Sequence, residues 1–352
     1  MSQSEENKKV TGEPIMLNSI SKFERSADYF PCQIPRLPYL LENLVLSLTT
    51  MSMSSVSVLT TLAMLPLSIL KSLTPLPKPS PDRVQTVLIT GGSGQIGGSL
   101  LKQYDSSAYH LVLLLRQPEK TDTYNLPRVA TYEIIKHDLT TFDKEQTKAM
   151  VKEIAVRRGG IDVLLQVSGT AGHMEEAWSE AGTRSWGVDF VRRVSDTNVT
   201  GCVNLILATW ESMIPYKKGS IVIVASSASI YAPCTFAAYG ASKAYLYHLG
   251  QSLRVLSVPH NIGVTIICPG FIDSPMTKNL RKWGSTLPDF GFASPDGLAH
   301  RIRRAQLCNE GTVIWPIGQV APLYGATSMN PLHEELGRWF GAATGATGTI
   351  IS

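Results

Sequence analysis

Residues 86–98 read TVLITGGSGQIGG and predict a strand, a glycine-rich turn and a helix in immediate succession. Thr86–Ile89 is apolar and β-branched, as expected for a strand buried on both faces of a parallel sheet. Gly91, Gly94 and Gly97 follow with GxxGxxG spacing, and an apolar helical pattern begins directly after them. Glycines let backbone amides approach a pyrophosphate, and the positive end of the helix then faces the phosphates. The stretch therefore predicts a nucleotide-binding turn.

Downstream of this unit, short apolar runs alternate with helical patterns to about residue 330. The further predicted strands are His110–Leu115, Tyr132–Lys136, Ile161–Val167, Ile221–Ala225, Gly263–Cys268 and Gly311–Trp315. Strands that alternate with helices indicate a parallel sheet covered by helices on both faces. We therefore expect an α/β fold, a Rossmann-type doubly wound parallel sheet, as a single catalytic domain over residues 84–330.

The stretch Gly219–Lys243 reads GSIVIVASSASIYAPCTFAAYGASK and places a serine pair and a Tyr-x-x-x-Lys pattern after the fifth strand. A serine at the carboxyl end of a parallel strand lies where open α/β sheets bind ligands. If the chain is helical from Ala237, Tyr239 and Lys243 share one face of that helix. An ammonium beside a phenol favours the phenolate, which would make Tyr239 a usable general acid or base near neutral pH.

Together with the glycine turn, this stretch resembles the short-chain dehydrogenase/reductase family in its compact form. The resemblance implies a catalytic serine thirteen residues before the tyrosine, which is Ser226; Ser227 is the alternative, because many members use the second serine of a pair. Asn198, in TNVTGCVNLILA, resembles the family's catalytic helix asparagine, which holds a water of the proton relay. The implied reaction is hydride transfer between a nicotinamide cofactor and a carbonyl/alcohol pair, with Ser226, Tyr239, Lys243 and Asn198 as the catalytic residues.

The choice of cofactor is predicted at the end of the second strand, where Leu115 is followed by Arg116 and not by a carboxylate. A carboxylate there would bond the ribose hydroxyls of NAD, whereas an arginine suits the 2′-phosphate of NADP. We therefore favour NADP over NAD; the alternative is that Arg116 is a solvated surface residue. With the contacts that the family resemblance implies, the expected cofactor-binding residues are Gly91, Ser93, Gly94, Gln95, Ile96, Gly97, Arg116, Asp138, Leu139, Gly169, Tyr239, Lys243, Pro269, Gly270, Ile272 and Ser274.

Two motifs depart from the compact pattern. Compact members usually show TGxxxGxG, but Gln95 stands where the middle glycine would be, and the observed TGxxGxxG is the spacing of the extended subfamily. An extended-type epimerase or dehydratase is therefore an alternative, which the short serine-to-tyrosine interval disfavours. The family's NNAG is replaced by Gln166-Val167-Ser168-Gly169, so a non-catalytic nucleotide-binding regulatory protein is a second alternative. The presence of all four catalytic residue types disfavours it.

Residues 1–83 are expected to form an extension outside the catalytic domain. Within it, residues 43–70 carry no charge over 28 residues, whereas a bilayer-spanning helix needs about 20. The run holds ten Ser or Thr, which can bond back to their own helix, and Pro66 is expected to interrupt it. A membrane anchor or membrane-lying helix is favoured over a helix packed on the catalytic domain or on a partner, and over a targeting segment. Residues 73–80, LTPLPKPS, are expected to be a stiff linker.

The expected location is membrane-associated with a cytosolic catalytic domain, or cytoplasmic. Basic residues flank the apolar run on both sides, so the positive-inside rule favours the cytosolic orientation only weakly. The sequon Asn198-Val199-Thr200 lies inside an expected helix, which also disfavours a lumenal domain.

Composition limits the classes of ligand and partner that the chain is expected to bind. The net charge is +4 over 352 residues without a long basic run, so there is no reason to expect nucleic acid. Five dispersed cysteines without a CxxC pair indicate reduced, structural thiols, and the dispersed histidines predict no metal site. We expect a small-molecule substrate and, from the family resemblance, a homodimer.

Residues 275–293 occupy the position of the family's substrate lid, and their apolar content predicts an apolar substrate. A lid packed on its own core would explain that content almost as well. Residues 170–190 are expected either to shape the pocket rim or to form an ordinary surface loop. Residues 331–352 form a tail rich in Gly, Ala and Thr, to which no structure or role is assigned.

Overall fold

The computed structural model describes residues 37–73, 83–119, 126–141, 143–172, 188–231, 237–282 and 291–327. Its strands are β1 (Gln85–Thr90), β2 (Tyr109–Leu115), β3 (Thr131–Lys136), β4 (Val163–Gln166), β5 (Gly219–Val224), β6 (Ile262–Pro269) and β7 (Thr312–Trp315). Its helices are α1 (Leu37–Leu73), α2 (Gln95–Gln103), α3 (Lys144–Arg158), α4 (Val188–Ser195), α5 (Cys202–Met213), α6 (Ala237–Leu256), α7 (Pro275–Lys282), α8 (Pro295–Leu307) and α9 (Ile317–Thr327).

The seven strands form one parallel sheet in the order β3-β2-β1-β4-β5-β6-β7. The chain starts near the middle with β1, builds β2 and β3 on one side, and then places β4 to β7 on the other. Thr90, at the end of β1, pairs with Leu114 of β2 and with Gln166 of β4. The expected doubly wound fold is therefore confirmed, and its switch point, where open α/β sheets bind ligands, lies between β1 and β4. The expected strands are all present, with boundaries within two residues of their predicted positions.

Alternate residues of each strand pack against helices on opposite faces of the sheet. Val87 and Ile89 face a core that includes apolar side chains of α2 and α8. Leu88, between them, faces a second core that includes side chains of α3, α5 and α6. Because both faces are covered, β2 and β4 are buried along their whole length, whereas the edge strand β3 has no fully buried residue.

A buried carboxylate braces the start of the catalytic domain. Asp162, 7% exposed, precedes β4 and accepts hydrogen bonds from the Thr86 amide at 2.9 Å and the Arg83 guanidinium at 2.5 Å. The Lys218 ammonium, just before β5, lies 3.0 Å from the same carboxylate. These contacts tie the amino ends of three neighbouring strands together, opposite the edge that carries the predicted site residues.

Helix α1 corrects one expectation about the N-terminal extension. It continues through Pro66, which was expected to interrupt it, and Pro38 lies in its first turn, where proline is tolerated. Its residues Leu44–Leu67 are long and apolar enough to cross a membrane, and none of the described side chains of α1 is buried. This exposure is contrary to the alternative of a helix packed on the catalytic domain.

Six hydroxyl groups of α1 are bonded back to the helix. Thr49 donates to the Val45 carbonyl and Thr60 to the Val56 carbonyl, both at 2.8 Å. The expected linker beyond Leu73, most of the possible pocket rim, the centre of the expected lid and the C-terminal tail lie outside the described residues.

Candidate active site

The glycine turn after β1 is built by close backbone approach. Gly91 has φ +70°, a conformation that glycine adopts without strain, and a Cβ there would lie 2.9 Å from the Ser168 amide nitrogen. A Cβ on Gly97 would overlap the Gly91 carbonyl oxygen and lie 2.8 Å from the Gly92 Cα. Helix α2 begins after Gly94, which offers no side-chain cap, so its first amide groups are free of that partner. Backbone packing thus accounts for the glycine spacing, and the cradle fits a bound phosphate.

The remaining residues expected to bind phosphate surround that helix start. Ser93 and Gln95 are exposed, and Ile96 is half-buried. Gln95, which replaces the middle glycine of the compact pattern, is the first residue of α2 and has room for its side chain in solvent. The departure from the compact spacing is therefore compatible with the turn.

A threonine that sequence reasoning missed joins the two turns at the switch point. Thr90 Oγ1 accepts hydrogen bonds from the amides of Val167 at 3.1 Å and Ser168 at 3.2 Å. The Thr90 hydroxyl thereby holds the turn after β4 against the glycine turn. The Gln166 side chain points the other way, into the core, where its Nε2 lies 3.1 Å from Cys202 Sγ. The altered NNAG motif therefore keeps its backbone position without asparagine side chains, and the adjacent Thr-Gly pair was the available signal for Thr90.

Tyr239 and Lys243 lie together on α6, as their spacing predicts. The Lys243 ammonium lies 5.9 Å from the centroid of the Tyr239 ring. Lys243 is 3% exposed and donates a hydrogen bond to the Val224 carbonyl at 2.8 Å, at the end of β5. A Cβ on Gly169 would lie 2.9 Å from Lys243 Nζ, so glycine is what lets the turn after β4 approach the ammonium.

Asn198 connects that turn to the helix of the tyrosine and lysine. It is fully buried in a π-helical turn, Asp196–Gly201, a distortion that is frequent at functional sites. Its side-chain oxygen accepts from the Thr170 amide at 2.8 Å, and its nitrogen donates to the Thr170 carbonyl at 2.8 Å and to Ser242 Oγ at 3.0 Å. Ser242 in turn donates to the Tyr239 carbonyl at 2.7 Å. Sequence reasoning missed Thr170 and Ser242, and the burial of Asn198 leaves its sequon inaccessible to modification.

The two candidate serines follow β5. Ser226 is 9% exposed, and its Oγ accepts a hydrogen bond from the Ala228 amide at 3.1 Å, capping the short turn Ser227–Ser229. The hydroxyl accepts in this contact, so its proton is free for another acceptor. Ser227 is half-buried beside it. The assignment of Ser226 as the catalytic serine stays a prediction.

The residues expected to contact the adenosine part of the cofactor lie at the carboxyl ends of β2 and β3. Arg116 is exposed one residue beyond β2. Lys136, the last residue of β3, pairs with Leu115 and supplies a second cation at this edge, which sequence reasoning did not single out. Asp138 accepts hydrogen bonds from the Thr140 amide at 2.9 Å and hydroxyl at 2.8 Å. Burial lowers the pKa of His137, so its ring is neutral at neutral pH and adds no charge here.

The Pro-Gly turn after β6 is held by side chains and by a β-bridge. Ile272 is 4% exposed and pairs with Ala293. The Thr277 hydroxyl donates to the Ile272 carbonyl at 2.8 Å, and its oxygen accepts from the Ser274 amide at 3.1 Å. The expected carboxamide-binding backbone is therefore fixed in place, and Thr277 is a further residue that sequence reasoning missed.

The remaining expected residues fill in the site. Leu139 is 9% exposed and packs on the π-helical turn, since a Cβ on Gly201 would lie 2.8 Å from the Leu139 Cβ.

Burial raises the pKa of the Cys202 and Cys268 thiols to about 11 each, so neither is a nucleophile near neutral pH. Among the described residues, no group of three or more His, Cys, Asp or Glu side chains could hold a metal ion.

These features define a class of protein. A glycine turn at the switch point of a doubly wound sheet, beside a buried lysine paired with a tyrosine, is the arrangement of a dinucleotide-dependent oxidoreductase. Comparison with family models agrees: the model of the short chain dehydrogenases matches residues 85–285. The match covers more than half of the chain, and the chain therefore belongs to the short-chain dehydrogenase/reductase family of oxidoreductases.

Its relatives are distant. An uncharacterised oxidoreductase of Staphylococcus epidermidis is 24% identical over 194 residues, which are 55% of this chain and 80% of the relative. Dehydrogenase/reductase SDR family member 7B of Xenopus laevis is 29% identical over 201 residues, which are 55% of this chain and 60% of the relative. The relatives support the family and leave the substrate open.

Solved structures share the fold. NAD⁺-bound xylitol dehydrogenase matches with a TM-score of 0.56 at 22% identity, over 67% of this chain and 97% of that one. A short-chain dehydrogenase from Sphingobium yanoikuyae in complex with NADPH matches with a TM-score of 0.54 at 23% identity, over 68% and 90% of the two chains. At these identities the likeness is one of fold alone.

The glycine turn yields a matched pair of substitutions. Gly97→Ala is expected to lower the free energy of unfolding by about 2 kcal/mol or more, because the new Cβ overlaps backbone that cannot move aside. Gly92→Ala is expected to stay within about 1 kcal/mol, since its Cβ meets only Leu115 and Leu101 side-chain carbons at 3.8 and 3.9 Å. Chemical denaturation of both variants measures the difference. Equal stability of the two would contradict the packing of the turn.

Proposed function

We propose that this chain is an NADP-dependent oxidoreductase that interconverts a carbonyl and a secondary or primary alcohol on an apolar substrate. The observation that carries the proposal is the buried Lys243, placed beside Tyr239 and against Gly169 at the switch point. A buried ammonium next to a phenol can assist proton transfer by that phenol. A lysine with only a structural role would have no need to lie beside one.

Four residues would each have one role in the reaction. Tyr239 donates a proton to the carbonyl oxygen in reduction and removes it from the alcohol in oxidation. Lys243 would hold the ribose: the Val224 carbonyl accepts one of its three N–H groups, which leaves donors for a ribose hydroxyl. Ser226 donates a hydrogen bond from its hydroxyl to the substrate oxygen. Asn198 holds the Thr170 main chain in place and supports the proton relay.

The cradle residues fit a dinucleotide. The turn Gly91–Gly97 would hold the pyrophosphate, since a Cβ at either end would fill the space that backbone amides need. Asp138 and Leu139 would border the adenine, Gly169 and Lys243 the nicotinamide ribose, and the backbone at Ile272 the carboxamide. The cofactor supplies or accepts the hydride when bound.

NADP is proposed in preference to NAD because the exposed side chains at one edge of the site are positively charged. Arg116 is exposed beyond β2 and Lys136 ends the neighbouring strand, and this pair of cations supports binding of a 2′-phosphate. The similar solved structures include one with NADPH and one with NAD⁺, so they do not decide the choice.

An apolar substrate is proposed from the side chains beyond β6. Phe271 and Met276 are each 37% exposed, and the Phe271 and Phe292 ring centroids lie 5.8 Å apart. Large apolar side chains that stay accessible next to a ligand-binding edge suit an apolar ligand.

Tyr239→Phe is expected to lower the turnover number at least about a thousandfold, because it removes the hydroxyl that transfers the proton. NADPH affinity should change less than about twofold, since the ring and Lys243 remain. Carbonyl reduction is followed by NADPH oxidation, and affinity by fluorescence titration. Tyr245→Phe, on the same helix and 50% exposed, is the matched control and should keep full activity.

Three outcomes would contradict the proposal. Normal turnover by Tyr239→Phe would remove Tyr239 from the chemistry. Wild-type protein that binds NADPH yet reduces nothing in a broad carbonyl panel would instead favour the non-catalytic regulatory alternative. Activity on a nucleotide sugar without net cofactor oxidation would favour the extended-type epimerase.

Arg116→Ala is expected to weaken NADPH binding about tenfold to a hundredfold, because it removes a charge-assisted bond to the 2′-phosphate. NADH binding should be unchanged. Isothermal titration with each cofactor gives both affinities, and Lys152→Ala, an exposed cation of α3, is the control for a general change in charge. An equal effect on both cofactors would mean that Arg116 is not the selector.

We further propose that residues 1–83 anchor a catalytic domain of residues 84–330 to a membrane, with residues 331–352 as a tail, and that the enzyme is a homodimer. The span Leu44–Leu67 has 24 residues, and its hydroxyl groups are bonded within the helix, so it meets the requirements of a hydrocarbon environment.

Deletion of residues 1–80 is expected to move the protein from the membrane fraction to the soluble fraction. The full chain should resist extraction by high salt, because hydrophobic insertion does not depend on surface charge. Immunoblots of fractionated cells measure the distribution. Full-length protein found wholly in the soluble fraction would contradict the anchor.

A further inference from the structure

Gln319, in the first turn of α9, contacts two segments of the chain that flank the expected lid. Its Oε1 accepts a hydrogen bond from the Phe271 amide at 2.9 Å, and its Nε2 donates one to the Gly291 carbonyl. The side chain of Gln319 thus links α9 to the turn after β6 and to Gly291, which precedes α8. A primary amide of this length satisfies an N–H and a carbonyl at once.

The approach of Gln319 accounts for the glycine of the Pro-Gly turn. Gly270 does not adopt a left-handed backbone conformation, so its own dihedral angles do not require glycine. A Cβ at Gly270 would overlap Gln319 Oε1 and lie 3.2 Å from Val320 Cγ2. The glycine therefore makes room for the side chain of Gln319.

The same two segments also pair through their backbones. Ile272 and Ala293 form a parallel β-bridge. The Ala293 amide donates to the Phe271 carbonyl at 2.9 Å, and the Asp273 amide donates to the Ala293 carbonyl at 3.0 Å. Gln319, on α9, bonds to Phe271, directly before Ile272, and to Gly291, two residues before Ala293. The position of Ile272 is thus set by main-chain pairing on one side and by Gln319 on the other.

We propose that Gln319 is a positioning residue for the nicotinamide half of the cofactor. It acts through Phe271 and Gly291 to hold the Gly270–Ile272 backbone, which would bind the carboxamide; this inference rests on the proposed function. The adenosine half would be bound at β2 and β3, which lie across the switch point from β6. Gln319 therefore affects the affinity for an intact dinucleotide and leaves the affinity for its adenosine half unchanged.

The test compares two ligands on the full-length protein. NADPH and adenosine 2′,5′-bisphosphate, which lacks the nicotinamide, are titrated into wild type and Gln319→Met by calorimetry. Gln319→Met keeps the length of the side chain and loses both hydrogen bonds. NADPH should bind about tenfold more weakly to the variant, and the bisphosphate should bind with unchanged affinity.

Two further variants sharpen the test. Gln306→Met is the matched control: its amide also has two partners, Tyr104 at 3.2 Å and Arg303 at 2.7 Å, but it lies on α8, and neither ligand's affinity should change. Gly270→Ala should reproduce the selective loss of NADPH affinity by displacing Gln319. Combined with Gln319→Met it should add little, because both changes remove one interaction.

Hydrogen exchange gives a readout without ligand. The Phe271 amide should exchange faster in Gln319→Met, while the amides of the Gly91–Gly97 turn should be unaffected. Should Gln319→Met fail to fold, Gln319→Glu retains an acceptor for Phe271 and loses the donor to Gly291, and a smaller but still selective loss of NADPH affinity is expected.

Several results would overturn the proposal. NADPH affinity equal to wild type in Gln319→Met, equal losses for both ligands, or additive effects in the double variant would each remove the positioning role. Wild-type protein that binds no NADPH would overturn the proposed function and this inference with it. Wild-type binding with an unaffected Gln319→Met overturns this inference alone.

Discussion

At the switch point between β1 and β4, the backbones of two turns pack closely together, and the hydroxyl of Thr90 bonds one turn to the other. Gly91 approaches the Ser168 amide so closely that a Cβ would lie 2.9 Å from its nitrogen, and Thr90 accepts the amides of Val167 and Ser168. The start of α2, the turn after β4 and the placement of Gly169 beside Lys243 all follow from this contact. Because backbone sets the spacing, the site tolerates the loss of the NNAG side chains.

Hydrogen bonds of the buried Asn198 then connect this backbone to α6. Asn198 satisfies both main-chain groups of Thr170 and reaches Ser242, which bonds the Tyr239 carbonyl. An unpaired polar group in such a place would cost about 1–3 kcal/mol, so each member of the network specifies the position of the next. Gln319 also bridges two main-chain segments, beyond β6, but its hydrogen bonds are exposed to solvent.

Much of this was open to prediction from local patterns. The strands were placed to within two residues because each is a continuous apolar run between turn signals. Tyr239 and Lys243 were paired because four residues bring side chains to one helix face. The expectation that Pro66 interrupts the helix was wrong. Proline removes one backbone hydrogen bond, and the remaining hydrogen bonds of a long helix stabilise it by more than that loss.

The sequence by itself determined the fold class, the glycine turn and the tyrosine–lysine pair, because each depends on spacings of a few residues or on periodic burial. Only the tertiary structure decided the roles of Thr90, Thr170, Ser242 and Gln319. Thr90 lies 77 residues from Val167, Thr170 lies 28 from Asn198, and Gln319 lies 48 from Phe271. Common residue types at such separations carry no local pattern, and they meet only because a doubly wound sheet brings the carboxyl ends of distant strands to one edge.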